Sequence, residues 1–376
     1  MDVEITVVAG ARPNFMKVAP ILSALKRRRE SGCPINHRLV HTGQHSSTMM
    51  SDTFFEQLGI PSPDVNLNVS GGSHARQTAE IMMAFEADLE KNPTDLVIVV
   101  GDINSTMAAT IVAKKLCIPV AHVEGGLRSG DMTMPEEINR KVTDSIADFF
   151  FTTSKNASEN LIREGIGEER VFFVGNTMID SLLINLDKLE RPRLWNDLNL
   201  KERGYLLLTL HRPANVDSPA LLNRILEVVS RSAGSFPVIF PVHPRTQKSM
   251  EEMSTTGTNI FRVDPMSYLE FIYLLKNSKG VITDSGGITE EATVLDIPCV
   301  TARTTTERPE TVEVGTNVLL GSKIDSLPGY ISEMIAGTWR KASIPELWDG
   351  NAADRIADAI VGLWESGRIG RGNSSA

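Results

Sequence analysis

Short apolar runs that end abruptly in polar, glycine-bearing clusters constrain this chain most. TDLVIVV stops at GDINST, IPVAHV at EGGLRSG, and KGVIT at DSGGITEE. The same break occurs at GARPN, HTGQH, LHRPAN and VHPRT, and stretches of helical periodicity separate the runs. Strands that are apolar along their whole length are covered on both faces, which implies parallel sheets flanked by helices. The pattern pauses across DKLERPRLWNDLNLKERG, residues 187–204, and then resumes. A length of 376 residues suffices for two ordinary cores. The expectation is an α/β chain of two doubly wound, Rossmann-like domains, residues 1–172 and 173–351. In open parallel sheets the loops at the carboxyl ends of the strands form the ligand crevice. Polar clusters from both halves therefore predict one cleft between two facing domains.

Composition removes several function classes. A net charge of −9 leaves no basic excess to displace counterions, so no nucleic-acid partner is expected. The one basic run, Lys26 to Arg29, ends a segment with Phe15, Val18, Leu22 and Leu25 at helical spacing, and reads as the cationic last turn of an amphipathic helix. Cys33, Cys117 and Cys299 are far apart with no C-x-x-C pair, which fits a reduced protein without disulfides or a structural metal. No apolar run approaches the roughly 20 residues of a membrane span, and the N-terminus is unlike a signal peptide. A cytoplasmic protein with no membrane partner is expected. No G-x-G-x-x-G follows a strand, so no dinucleotide cofactor is expected. His41 and His45 have no acidic partner at metal-binding spacing; His41 reads as structural, while Gln44 and His45 offer hydrogen bonds to a ligand.

DSGGITEE has a more specific chemistry. Gly286 and Gly287 let a phosphate approach backbone amides at a helix start, and Ser285 adds a hydroxyl. Glu290 is expected in the first helical turn, complementing the dipole. Glu291 points elsewhere and can accept hydrogen bonds from adjacent hydroxyls, as a ribose presents. Phosphate plus ribose means a nucleotide. Arg12 and Lys17 in GARPNFMK suit a diphosphate. Asp102 ends a strongly apolar strand, where a carboxylate is costly unless it is bonded or used, the bland alternative being a helix N-cap. Glu124 sits against two glycines, MPEEINR brings Glu136, Glu137 and Arg140, and LHRPAN adds His211 and Arg212. Such a set can move protons beside a phosphate leaving group.

GARPNFMKVAPI, HTGQH, GDINSTMAA, HVEGGLRSGDMTMPEEINR, VGNTMIDSL, TLHRPANVD and TDSGGITEE followed by TTERPE together resemble the non-hydrolysing UDP-N-acetylglucosamine 2-epimerases, in the family's order along nearly the whole chain. The resemblance implies the GT-B arrangement, with a C-terminal helix at about 352–367 packing back onto the first domain, and a homodimer. It implies interconversion of UDP-N-acetylglucosamine and UDP-N-acetylmannosamine by elimination and re-addition of UDP through a 2-acetamidoglucal, with no cofactor. By motif, Asp102, Glu124, Glu136 and His211 resemble the catalytic set, the carboxylates handling protons and His211 the leaving diphosphate. Arg12, Lys17, Arg140, Ser285, Gly286 and Glu291 match the family's UDP contacts. Phe271 matches the position that packs on uracil, although spacing alone assigns it to the core. Gln44, His45 and His243 match positions where a second UDP-N-acetylglucosamine binds as activator, but Ser47 stands where a further Gln is common. Rival readings are an epimerase of a related sugar such as UDP-2,3-diacetamido-2,3-dideoxyglucuronic acid, a GT-B glycosyltransferase, and a non-catalytic sugar-nucleotide sensor. TERPE favours the simpler sugar, and a transferase or sensor has no use for the carboxylate cluster.

Overall fold

Alternation of strand and helix builds two sheets, each parallel throughout. The structure, a computed structural model, describes residues 2–44, 59–250 and 257–370. The chain divides into two compact units, one holding residues up to Ile184 and those from Glu346 onward, the other Asn185–Pro345.

The first unit runs β1 (Val3–Ala9), α1 (Arg12–Glu30), β2 (Ile35–His41), β3 (Val65–Asn66), α2 (His74–Lys91), β4 (Leu96–Val100), α3 (Asn104–Lys115), β5 (Val120–Val123), α4 (Pro135–Ile146), β6 (Phe149–Thr152), α5 (Lys155–Arg163), β7 (Val171–Phe173) and α6 (Thr177–Asn185). Its sheet has the order β3-β2-β1-β4-β5-β6-β7. Every residue of β4, LVIVV, is buried, as a central parallel strand requires. Val97 and Val99 pack with Phe85 and Leu89 of α2 and Val112 of α3. The strand order reverses between β1 and β4, so the loops leaving those two strands border the switch point, where such sheets bind ligands.

The second unit runs α7 (Leu194–Asp197), β8 (Leu206–Thr209), α8 (Pro213–Val216), α9 (Pro219–Ala233), β9 (Val238–Pro241), α10 (Pro244–Met250), β10 (Ile260–Val263), α11 (Tyr268–Asn277), β11 (Gly280–Thr283), α12 (Gly286–Val294), β12 (Cys299–Thr301), α13 (Pro309–Glu313), β13 (Asn317–Leu319) and α14 (Leu327–Ala336). The order β10-β9-β8-β11-β12-β13 puts its switch point between β8 and β11. There Thr209 and Thr283 sit in register and their hydroxyls are 2.6 Å apart. Leu206, Leu208, Phe240 and Ile282 form the core with Leu222 and Leu226 of α9 and Ile331 and Met334 of α14.

The last helix, α15 (Ala352–Glu365), belongs to the first unit and packs on α1. The basic end of α1 finds its partners there: Arg27 reaches Asp354 at 2.8 Å and Arg28 reaches Asp358 at 2.6 Å. The first unit extends past the boundary expected at 172/173 for a physical reason. β7 is its edge strand, paired with β6, and the Ser181 hydroxyl of α6 donates to the Met16 carbonyl. It resumes before residue 351 because Trp348 is buried, its indole donating to Thr153 O at 2.9 Å. Among the described residues no helix is long and apolar enough to cross a membrane.

Asp180 caps α15 from inside the first unit, its two oxygens accepting from Ala352 N at 3.1 Å and Ala353 N at 2.7 Å. Burial pushes its carboxyl up from an ordinary value of 3.8 to about 6, against the pull of those amides. The folded chain then holds this proton more tightly than the unfolded chain does. Its stabilising contribution is complete below about pH 4 and declines as pH rises through about 6. Asp180→Ala should therefore cost about 1–2 kcal/mol at pH 4.5, a lost cap left with unpaired amides, and less at pH 7.5. Denaturant titrations of both proteins at the two pH values check this.

Candidate active site

In the first unit the loops leaving β1, β4 and β5 carry the charged residues. Asn14 pins the entry of α1: its Oδ1 accepts from Ala11 N at 3.2 Å and its Nδ2 donates to Val100 O at 3.0 Å. That places Lys17 in the second turn, buried, with Nζ 2.6 Å from Glu124 Oε2. Gly101, at φ +72°, lets the exit of β4 pass beneath them; a Cβ there would meet Asn14 Nδ2 at 3.3 Å and Lys17 Nζ at 3.7 Å. Glu124 follows β5 with φ 68°, a left-handed conformation unusual for a residue with a side chain. Such strain persists where the surroundings over-determine it. Here the Glu124 amide donates to Phe151 O at 2.9 Å and Lys17 holds the carboxylate, whose side chain is only 3% exposed.

Asp102 is not a helix cap, because Ile103 occupies the N-cap of α3. Its Oδ2 instead accepts from Arg140 Nη1 at 2.8 Å, and its carbonyl accepts from Asn139 Nδ2 at 2.9 Å. The Arg140 side chain is 1% exposed and lies 3.1 Å from Glu137 Oε2 through Nη2. Glu137 accepts from Ser129 N, Ser129 Oγ and Gly130 N at 2.9, 3.0 and 3.2 Å, which fixes the turn after Glu124. Asp102 itself stays 32% exposed, an accessible carboxylate on a fixed loop. Glu136 is exposed in the first turn of α4, one turn before Arg140 on the same face. Gln44 Oε1 accepts from Ser105 N at 3.0 Å and Ser105 Oγ at 2.6 Å, clamping the start of α3. Arg12 occupies the first position of α1, and His45 lies outside the described residues.

In the second unit one carboxylate organises both switch-point loops. Asp284, fully buried after β11, accepts from His211 N at 3.1 Å, Arg212 N at 3.0 Å and Asn215 Nδ2 at 2.9 Å. His211 Nδ1 is 3.0 Å from Asp284 Oδ1. Burial raises the Asp284 carboxyl, but His211, Asn215 and the Arg212 amide outweigh it and hold the group below its ordinary value. The bond to a carboxylate fixes a proton on Nδ1 and leaves Nε2 for a ligand. His243 stands beside it, ring centroids 5.8 Å apart, and its pKa is lowered by burial, His211 and Arg245.

Ser285 is the N-cap of α12 without a side-chain cap bond, so the first amides of that helix are open to an anion. At Gly286 the backbone passes close to the Arg308–Glu307 pair: a Cβ would lie 2.8 Å from Arg308 Nη1 and 3.1 Å from Glu307 Oε1, so a side chain there would shift them. Gly287, like Ser285 and Gly286, is half-buried. Glu290 departs from the expectation of an open dipole partner in the first turn. It is the fifth residue of α12, buried and bonded to Arg308 Nε, because Arg308 of the TTERPE segment folds under the helix. Glu291 is also buried and accepts from the Tyr268 hydroxyl at 2.9 Å. Burial, then the neighbouring Glu290, pushes its carboxyl up to about 8 against that hydrogen bond. Phe271 is half-buried one turn beyond Tyr268 on α11. Near the start of α11 a cavity of about 650 Å³ is lined by Val242, Gln247, Val263, Pro265 and Met266 among others. Among the described residues no group of three or more His, Cys, Asp or Glu is arranged to hold a metal ion.

A family model described as UDP-N-acetylglucosamine 2-epimerase matches residues 26–361. The chain belongs to this family. The UDP-N-acetylglucosamine 2-epimerase of Methanocaldococcus jannaschii is 42% identical over 342 residues, 88% of this chain and 92% of its own. The UDP-2,3-diacetamido-2,3-dideoxy-D-glucuronate 2-epimerase of Pseudomonas aeruginosa is 40% identical over 365 residues, 96% of this chain and 100% of its own. A crystal structure of the Methanocaldococcus jannaschii UDP-GlcNAc 2-epimerase in complex with UDP-GlcNAc and UDP has a TM-score of 0.85 to this chain at 39% identity, covering 96% and 100% of the two.

The sequence shows few of the supports of this epimerase-family site. Asp284, Arg308 and Tyr268 hold His211, Glu290 and Glu291, and Glu137, named only as one charge of MPEEINR, holds Arg140 and the turn after Glu124. Asp284 was legible in principle, as a carboxylate ending an apolar strand carries the same signal as Asp102.

Lys17→Met should leave the Glu124 carboxylate buried without its cation and cost about 3–5 kcal/mol. Adding Glu124→Gln should recover most of that loss. Denaturation midpoints of the wild type, both single variants and the double variant check the pair.

Proposed function

We propose that this protein reversibly interconverts UDP-N-acetylglucosamine and UDP-N-acetylmannosamine by eliminating UDP and adding it back across a 2-acetamidoglucal. Family membership supports the reaction class, and one structural observation carries the assignment: Asp102 and Glu124, two carboxylates on rigid loops, are each held by a buried cation. The hydrogen at carbon 2 is weakly acidic, so a base alone does not suffice. As a carboxylate removes it, the bond from carbon 1 to oxygen breaks and its electron pair leaves with UDP. Proton return to the opposite face and re-addition of UDP complete the inversion. Departing negative charge must be met at the same time.

In this reading Asp102, Glu124 and Glu136 handle the proton, with Glu124 paired to Lys17 and Asp102 to Arg140. His211 presents Nε2 to the diphosphate while Asp284 holds its other nitrogen. Ser285, Gly286 and Gly287 with the open amides of α12 seat a phosphate, and Glu291 takes the ribose hydroxyls. Arg12, Lys17 and Arg140 add positive charge, and Phe271 stacks on uracil. Gln44 and His243 belong to an activator site, together with His45, and the protein works as a homodimer in the cytoplasm. A related sugar remains a specific second reading, supported by the 40% identity to the diacetamidoglucuronate epimerase. Purified protein incubated with each UDP-sugar and followed by proton NMR separates the two. Conversion of UDP-N-acetylglucosamine to its manno epimer is expected; conversion of only the diacetamido sugar overturns the first choice.

Two further outcomes are expected. Asp102→Asn and Glu124→Gln should lower kcat at least about 100-fold while UDP affinity changes no more than about threefold, read by turnover and calorimetry. Glu291 holds a proton below about pH 8, whereas ribose hydroxyls donate best to its carboxylate. UDP binding at pH 7 should thus release a proton, and affinity should rise with pH until about 8. Calorimetry in buffers of different ionisation enthalpy measures the release, which Glu291→Gln should abolish.

A further inference from the structure

A buried charge cluster beneath the first unit's loops is not used by the reaction as proposed. His122, in the middle of β5, is fully buried. Its Nε2 lies 2.8 Å from Gly101 O and its Nδ1 2.6 Å from Asp144 Oδ1. Asp144, on α4, is equally buried, and its Oδ2 accepts from Gly126 N at 3.0 Å and Arg128 Nη1 at 2.6 Å. Arg128 extends the chain to Glu164 with Nη2–Oε2 at 2.6 Å and Nε–Oε1 at 2.9 Å.

The proton count follows from the partners. A carbonyl oxygen only accepts, so Nε2 carries hydrogen. Nδ1 faces a carboxylate whose other oxygen already takes two donors, one of them a guanidinium. A doubly protonated ring therefore donates at both nitrogens, to Gly101 O and to Asp144 Oδ1, while Glu164 at the outer end is shared between Arg128 and Lys141. A neutral ring with its proton on Nε2 would set the Nδ1 lone pair against the ionised Asp144 carboxylate in the interior. Burial raises the Asp144 carboxyl, yet His122 and Arg128 outweigh it and keep it below its ordinary value, in keeping with the ionised form.

Position gives the cluster its consequence. Gly101 immediately precedes Asp102, and Gly126 lies two residues after Glu124. Both Gly101 and Glu124 hold left-handed backbone. We propose that His122 is a positioning residue whose imidazolium fastens the Asp102 loop directly and the Glu124 loop through Asp144. The inference rests on the epimerase reading and deepens it. Small displacements of these loops move the carboxylates relative to carbon 2, a misplacement to which proton transfer is sensitive, while phosphate and ribose contacts are untouched.

The test combines kinetics with a spectroscopic signature. His122→Gln should lower kcat about 10–100-fold, the usual scale for a supporting residue, with KM and UDP affinity within about threefold. Arg128→Gln, a milder change at the edge of the cluster, should lower kcat less and in the same pattern. Nitrogen-15 NMR of histidine-labelled wild type, with the His122 signals assigned by their loss in His122→Gln, should show both ring nitrogens protonated. A folded His122→Gln with wild-type kcat, or a His122 ring carrying one proton, overturns the proposal. If His122→Gln does not fold, an Arg128→Gln protein with wild-type kcat overturns it instead. The NMR result does not depend on turnover, so a wild type with no epimerase activity would count against the reaction and not against the charge state.

Discussion

Glu124 can sit inside the first unit because Lys17 reaches it. A carboxylate taken out of water is unfavourable by several kcal/mol unless a cation and hydrogen bonds replace the solvent. Here the cation comes from α1, one turn beyond a loop that Asn14 ties to the end of β4. The pair joins the loops of β1 and β5 across the exit of β4, and Gly101 keeps that exit clear. The left-handed backbone of Glu124 belongs to the same constraint, since it aims the side chain at α1 rather than along the strand.

The second unit meets the same requirement with a different geometry. Asp284 ends β11 as a buried carboxylate and gathers the amides of the β8 loop around itself. Its charge is spread over backbone and imidazole donors instead of one ammonium. Beneath α12, Arg308 and Arg303 offset Glu290 and Glu307, which leaves the open helix start as the feature a phosphate would meet. In both units the polar residues gather where the strand order reverses, because only there do two neighbouring loops diverge and leave backbone groups uncovered.

The runs of apolar residues made both sheets legible, since parallel strands have no solvent face to encode. Loop residues such as Asp102, Glu124 and Ser285 were legible because polar groups directly after a buried strand have few structural reasons to be there. The way they are supported was not. Glu137 and Arg140 stand out by charge, but a charged pair three residues apart on a helix usually marks a solvated face, whereas the Arg140 side chain is 1% exposed. His122 lies inside an apolar run and reads as a core residue until Asp144, 22 residues on, is placed beside it. Glu290 looked like an ordinary helix-start carboxylate because its partner, Arg308, is remote along the chain. Burial and long-range pairing carry no local pattern, and that is where sequence reading fell short.

If UDP leaves and returns as proposed, the hydrogen at carbon 2 exchanges with solvent. Incubation of UDP-N-acetylglucosamine with the purified protein in heavy water, without any added cofactor, reads that exchange. Elimination and re-addition should give manno epimer carrying deuterium at carbon 2, with substrate recovered at equilibrium labelled at the same position. Epimer that retains the original hydrogen, or label at no carbon, would contradict it.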